Sequence, residues 1–183
     1  SIGWSWKMLE PVEQETLKQA AVFADSFGLD GAEAVIQLPE NGANVVDLLE
    51  RLARKSMLDH DDISTPAEPR FLLLNTIREF IVEQTDGDLA DVRNRHALWT
   101  LAAAEADIEG LTRLQRATHR KNLQLNRANI EAASTWGSRG DPALVIRCAH
   151  VMDAILSLFG TGQDRTENSV RAMDVARHAD NPT

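Results

Sequence analysis

The 183-residue chain contains no tyrosine, one cysteine and only five phenylalanines beside four tryptophans. A single thiol, Cys148, excludes any disulfide within the chain. It sits in an apolar helical stretch, where a buried, inert thiol is expected rather than a nucleophile. Read residue by residue, no apolar run approaches the roughly 20 residues that a bilayer-spanning helix needs. Nor does the start read as a signal peptide, because Glu10, Glu13 and Glu15 follow its tryptophans. A cytoplasmic location without membrane contact is the expectation. Basic charge is also short: the net is −9. Residues 1–85 hold seven Lys/Arg against fifteen Asp/Glu, a net of −8, and residues 86–183 hold twelve against thirteen, a net of −1. An acidic first half repels a phosphate backbone, so DNA binding is not expected of it.

What is present is an ordinary globular composition, 43% hydrophobic and 26% charged. It is rich in Ala and Leu and poor in Val/Ile runs, which favours helices. Pro11 suits the first position of a helix. That helix is expected to run through Phe23–Ala24 and to stop at Gly28. Asp30 and Glu33 have capping-box spacing, predicting a short helix to about Leu38 and a turn at Pro39–Gly42. Asn44 is a cap for a third helix, with Val45, Leu48, Leu49 and Leu52 on its apolar face and Arg51, Arg54 and Lys55 at its C-terminal end. Ser56–Leu58 and Arg70–Leu74 are expected strands around a Pro-containing acidic loop, forming a hairpin. Thr76 and Glu79 form a second box opening a helix through Ile77, Phe80 and Ile81, broken at Gly87. Further helices are expected at about 88–109, 112–136, 142–159 and 163–178. The last two would face each other across Gly160-Thr161-Gly162, an antiparallel pair of about one tetratricopeptide unit, with more repeats beyond Thr183.

The expected fold is therefore mainly α: a winged-helix-like module with a small β-hairpin over residues 1–86, then an α-helical bundle over 87–183 leading into tetratricopeptide-like helix pairs.

Residue types able to do chemistry are scattered. His60-Asp61-Asp62 could bind a metal, but reads as a solvated loop tip because no second ligand cluster accompanies it. His96, His119, His150 and His178 fall on different helices, with no HExxH and no Ser/Asp pairing. Glu105 and Glu131 have no carboxylate placed opposite, so acid–base catalysis is unsupported and no enzyme is expected. Arg113, Arg116, Arg120, Lys121 and Arg127 form a basic run without an acid between Glu109 and Glu131. It suits a contact between domains better than nucleic acid. Trp4, Trp6, Trp99 and Trp136 are packing anchors, with Trp4 or Trp6 the better placed to enter an interface with an upstream domain.

The stretch WSWKMLEPVEQETLKQAAVFADSFGLDGAEAV (Trp4–Val35) closely resembles the segment after the nucleotide-binding domain in bacterial signal-transduction ATPases with numerous domains (STAND). These are the regulators of AfsR, LuxR and MalT type, related to NB-ARC proteins. LLERLARKSML (Leu48–Leu58) and RFLLLNTIREFIVEQ (Arg70–Gln84) resemble that family's third helix, strand and following helix. RHALWTLAAAEA (Arg95–Ala106), NRANIEAASTW (Asn126–Trp136) and GDPALVIRCAHVM (Gly140–Met152) resemble its helical linker and first repeat. The resemblance implies a regulatory arm: a winged helix packed on an ATPase domain that it helps hold closed around ADP, and repeats that receive a protein or small-molecule effector. ATP, ADP and Mg belong to the upstream domain, with no cofactor in this stretch. Two departures stand out. The chain has no G-x-x-x-x-G-K-[ST] phosphate loop. Where relatives carry a Met-His-Asp triplet with its phosphate-sensing histidine, this chain has Leu73-Leu74-Asn75. A winged helix that itself reads DNA is the alternative, resting on Arg51, Arg54 and Lys55.

Overall fold

The computed structural model describes residues 2–38, 44–85, 89–112, 114–139 and 142–160. The described residues are mainly helical, nine helices with one three-stranded antiparallel sheet. The chain divides into two compact units, Ser1–His96 and Ala97–Thr183.

The first unit runs α1 (Ile2–Lys7), α2 (Pro11–Ala20), β1 (Phe27–Gly28), α3 (Leu29–Val35), α4 (Val45–Arg54), β2 (Asp59–His60), β3 (Arg70–Leu72) and α5 (Asn75–Gln84), then the start of α6 (Ala90–Gly110). Pro11 opens α2 as expected. The helix stops at Ala20, short of Ala24, because Phe23 and Phe27 leave it to stack in the core at 4.2 Å between ring centres. Arg78 satisfies the carbonyl this exposes, its Nη2 donating to Phe23 O at 2.7 Å. Gly28 does not end a helix: it is extended, pairs with Arg70 in the sheet, and stands as the N-cap of α3. Asp30 consequently falls inside the first turn of α3, and the box with Glu33 does not form there. That helix closes at Val35, before Leu38, since the Gln19 side chain takes both backbone groups of Gln37, each at 2.8 Å. The expected turn at Pro39–Gly42 lies outside the described residues.

Asn44 caps α4 as its sequence indicates, Oδ1 accepting from Val46 N at 2.8 Å, and Leu48, Leu49 and Leu52 are buried. The end of α4 displaces the first expected strand. Ser56 takes a left-handed φ of 56°, Ser56 N donates to Ala53 O, and Met57 N to Leu52 O, both at 2.9 Å. This is a Schellman closure with Met57 as the apolar residue beyond the turn. Met57 and Leu58 are thereby drawn into the core, and the strand begins only at Asp59. In the sheet β3 is central, in the order β1-β3-β2, with Phe71 opposite Phe27 on one side and His60 on the other. α5 begins at Asn75 with Leu74 as N-cap, so the box at Thr76 and Glu79 does not form; Gly87 lies outside the described residues. Leu17, Phe23, Phe27, Leu49, Leu52, Phe71 and Ile81 are each within 1% of complete burial. At about 1.5–3 kcal/mol per large apolar side chain, they form the main attractive term of this unit.

The second unit holds the remainder of α6, α7 (Arg116–Leu125), α8 (Arg127–Gly137) and α9 (Pro142–Phe159). The single helix expected over 112–136 is two helices meeting at Asn126, whose φ of −97° and ψ of 8° leave the helical region. The break allows Leu123 and Ile130 both to reach one core with Ala97, Leu101, Ala133, Val151 and Ile155. α8 and α9 approach closely where Gly137 lacks a side chain: a Cβ there would lie 2.6 Å from Cys148 Sγ and 3.2 Å from Leu144 Cγ. α6 and α9 are joined by a two-pronged ion pair, Arg147 Nε and Nη2 each donating to Glu105 at 2.8 Å. The helix expected at 163–178, and its pairing with α9, lie outside the described residues.

One expectation about hydrophobic runs needs correction. α9, 18 residues with mean hydropathy 1.5, is long and apolar enough to cross a membrane by length and composition. Arg147, His150 and Asp153 interrupt the run without lowering its average enough.

Candidate interaction surface

On a helix, residues two apart point about 200° from each other, so Trp4 and Trp6 of α1 face opposite ways. Trp6 turns inward. Its ring meets Phe80 of α5 edge to face at 6.0 Å, and its carbonyl accepts from Gln14 Nε2 at 2.9 Å. A Cβ at Gly3 would lie 3.9 Å from the same Phe80 ring. Trp4 turns outward and is 66% exposed; Met8, one turn further on, is 62% exposed. The sequence singled out both tryptophans, and the fold divides their roles: Trp6 anchors the helix, and Trp4 with Met8 forms an apolar surface held out by it. A large exposed apolar pair on an anchored helix is the kind of patch that marks a contact surface.

The basic end of α4 has a different fate. Glu13 of α2 is fully buried, and its Oε2 receives Lys55 Nζ at 2.6 Å and the Glu10 amide at 2.8 Å. Arg51 lies 3.1 Å from Glu13 Oε1, a charge contact without hydrogen-bond alignment, and 2.9 Å from Glu10 Oε2. Burial pushes the Glu13 carboxyl upward, but the hydrogen bonds from Lys55 and the Glu10 amide and the charges of Lys55 and Arg51 outweigh it, holding the group below its ordinary 4.5. The hydrogen bond to Glu10 chiefly raises Arg51. Two of the three cations that favoured DNA are thus neutralised from within. Arg54 remains exposed.

The basic run is not one helical face. Arg113 lies outside the described residues. Arg116 and Lys121 are exposed on α7, whereas Arg120 bends back over the Phe159 ring at 5.1 Å and donates to Leu158 O at 3.3 Å. Arg127 stands on α8, past the Asn126 break, and pairs with Glu131 at 2.8 Å.

Other titratable groups do not converge. His60 belongs to β2 rather than to a loop tip, with its ring 5.0 Å from Phe71 and its Nε2 3.7 Å from Glu50. Among the described residues no three His, Cys, Asp or Glu side chains gather as metal ligands. His96 is buried against Phe23, edge to face at 5.0 Å. His150 is exposed, and His178 lies outside the described residues. The hydrogen bond from Arg147 chiefly holds the Glu105 carboxyl low. Cys148 is buried, and burial pushes its thiol up. Leu73 is buried, Leu74 is half-exposed, and Asn75 Oδ1 accepts from Arg78 Nη1 at 2.7 Å, so the triplet is spent on the start of α5. Sequence reasoning missed two groups, the buried Glu13 and a polar set around Asp107. In that set His119 Nδ1 lies 2.8 Å, and Asn122 Nδ2 3.1 Å, from Asp107 Oδ1. Only the i, i+4, i+7 spacing of Asn122, Asn126 and Asn129 in the sequence signalled the second. No family model, curated protein or solved structure matches the chain.

Proposed function

We propose that the chain is a non-catalytic regulatory and interaction module of a STAND-type ATPase transcriptional regulator. In this reading residues 1–86 form a winged-helix-like domain that packs on an upstream nucleotide-binding domain. Residues 87–183 are a helical linker and first tetratricopeptide-like repeat, coupling that domain to an array that senses an effector. The protein works in the cytoplasm, and ATP, ADP and Mg are handled by the upstream domain alone. The observation that carries the reading is Trp4, two-thirds exposed on a helix fastened by Trp6 and Phe80. An aromatic side chain held rigidly in solvent is suited to the core of an interface. The order of helices and strands in the first unit supports the winged-helix part.

Extending the chain by the residues encoded upstream tests this. The extension should contain a phosphate loop and bind ADP by calorimetry, with Trp4 fluorescence less open to acrylamide quenching than in the 183-residue chain. Micromolar ATP or ADP binding by the 183 residues alone, or equal quenching of Trp4 in both forms, contradicts it.

A DNA-reading winged helix is the second proposal, favoured by Arg51, Arg54 and Lys55 at one end of α4. Glu10 and Glu13 already engage two of these, which supports the first reading over it. Fluorescence anisotropy at low salt separates the two, because only the second requires binding that weakens steeply with salt.

A further inference from the structure

The outer face of α7 carries charge that the fold does not use. At about 100° per residue, Ala117 and Gln124 lie at its centre, Arg116 and Arg120 on one edge and Lys121 on the other. All five are exposed, and Leu114, just before the helix, is wholly so. Arg120 is held over the Phe159 ring, but among the described residues Arg116 and Lys121 form no ion pair or side-chain hydrogen bond. No acid stands between Glu109 and Glu131 to offset them along the chain. Cations this close repel one another, and a carboxylate brought from outside relieves that repulsion.

The first unit presents the opposite arrangement. Between β2 and β3, Asp62 and Glu68 are exposed and form no ion pair among the described residues. Ile63, beside Asp62, is exposed with them. Backbone hydrogen bonds fix this connection: Asp61 N donates to Arg70 O at 3.1 Å and Ser64 N to Asp61 O at 2.8 Å. Thr65 and Glu68 exchange two more, at 3.2 and 3.1 Å. A segment already held in shape loses little freedom on docking.

We infer that the outer face of α7 on one copy of the chain seats the β2–β3 connection of a second copy. Arg116 and Lys121 meet Asp62 and Glu68, and Leu114 meets Ile63. Both sides thus offer a leucine or isoleucine among charges of one sign, and the signs are opposite. Nucleic acid suits the face less well, because a first half of net charge −8 accompanies it into any contact. Exposed ion pairs contribute little each and are screened by salt, so the association is weak and favoured at low ionic strength. The inference stands independently of the regulatory reading above.

Sedimentation velocity of the 183-residue chain tests this at about 50 and about 500 mM NaCl, where screening lengths differ about threefold. The wild-type sedimentation coefficient rises with concentration at low salt and stays at the monomer value at high salt. Two variants divide the contact, Arg116→Gln/Lys121→Gln and Asp62→Asn/Glu68→Gln. Each alone associates about tenfold more weakly than wild type. Mixed one to one, they form a complex as tight as the wild-type one, since each supplies the half that the other lacks. The second variant is less acidic than wild type, so general charge repulsion would predict the opposite change in it. A wild-type chain that stays monomeric at low salt overturns the inference. So does association indifferent to salt, undiminished association of either variant, or a mixture no tighter than its components. Binding of a short DNA duplex by a monomeric wild-type chain, lost in Arg116→Gln/Lys121→Gln, overturns it in favour of nucleic acid.

Discussion

Glu13→Gln keeps the shape of a fully buried side chain and removes its charge. Breaking a buried ion pair from one side costs about 3–5 kcal/mol when the surviving charge is trapped. Here Lys55 and Arg51 are 39% and 37% exposed and can rehydrate, which brings the expected loss to about 2 kcal/mol. The pH dependence gives a sharper signature than the size. Glu13 titrates below its ordinary 4.5 in the folded protein. A carboxyl whose folded value is depressed adds stability that is fully present above the unfolded value and is lost as pH falls through the folded one. Below both values a protonated Glu13 is nearly the glutamine of the variant, so the gap between the two proteins should close at low pH. The other carboxylates titrate in both and largely cancel. Urea unfolding followed by Trp6 emission, with Trp4, Trp99 and Trp136 replaced by Phe, reads the first unit at pH 7 and at successively lower pH. A gap below about 0.5 kcal/mol at pH 7 would refute the reasoning, since that is the scatter of an ordinary surface change. So would a gap that does not narrow on acidification.

Ser56→Gly should stabilise the first unit by about 1 kcal/mol, because an L-residue pays about that much in the left-handed conformation and glycine does not; the midpoint of urea unfolding checks it. Gly137→Ala should run against helix propensity: in place of the usual gain of about 0.5–1 kcal/mol, it should cost about 1–2 kcal/mol, its Cβ meeting Cys148 Sγ. Thermal unfolding of that variant, with Gly137→Ala/Cys148→Ala showing partial recovery, separates steric overlap from a general effect. Trp4→Ser should leave stability within about 0.5 kcal/mol of wild type, whereas Trp6→Ala should cost about 2 kcal/mol or more through the lost Phe80 contact. Equal effects of the two would contradict their assigned roles.

Much of the helical content was legible because its signals are local. Asn44 with Val45, Leu48, Leu49 and Leu52 carries its own cap and apolar stripe, and α4 forms as that pattern indicates. The misjudged places are those where a distant partner decides. The end of α2 depends on Arg78 reaching back to Phe23 O, and the end of α3 on the Gln19 amide binding Gln37. β1 exists because Phe71 lies opposite Phe27, a pairing with no local trace in two residues of sequence. Spacing misled at Asp30 and Thr76, since capping-box residues are as compatible with the first turn as with the cap. Among candidate contact residues, Trp4 and Trp6 were identifiable by type, but only the packing of Phe80 assigns which is the anchor. The basic run looked continuous because charge pattern carries no information about the bend at Asn126.

The central position of β3 has a practical consequence for handling the protein. Arg70–Leu72 is gripped from both flanks, by Phe27–Gly28 and Asp59–His60, so the sheet does not rely on a tight connection between its last two strands. Most of the chain between them faces solvent. A protease site, epitope or dye inserted around Pro66 should therefore leave the three strands in register, offering a place to cut or label this unit without touching α1 or its outward-facing tryptophan.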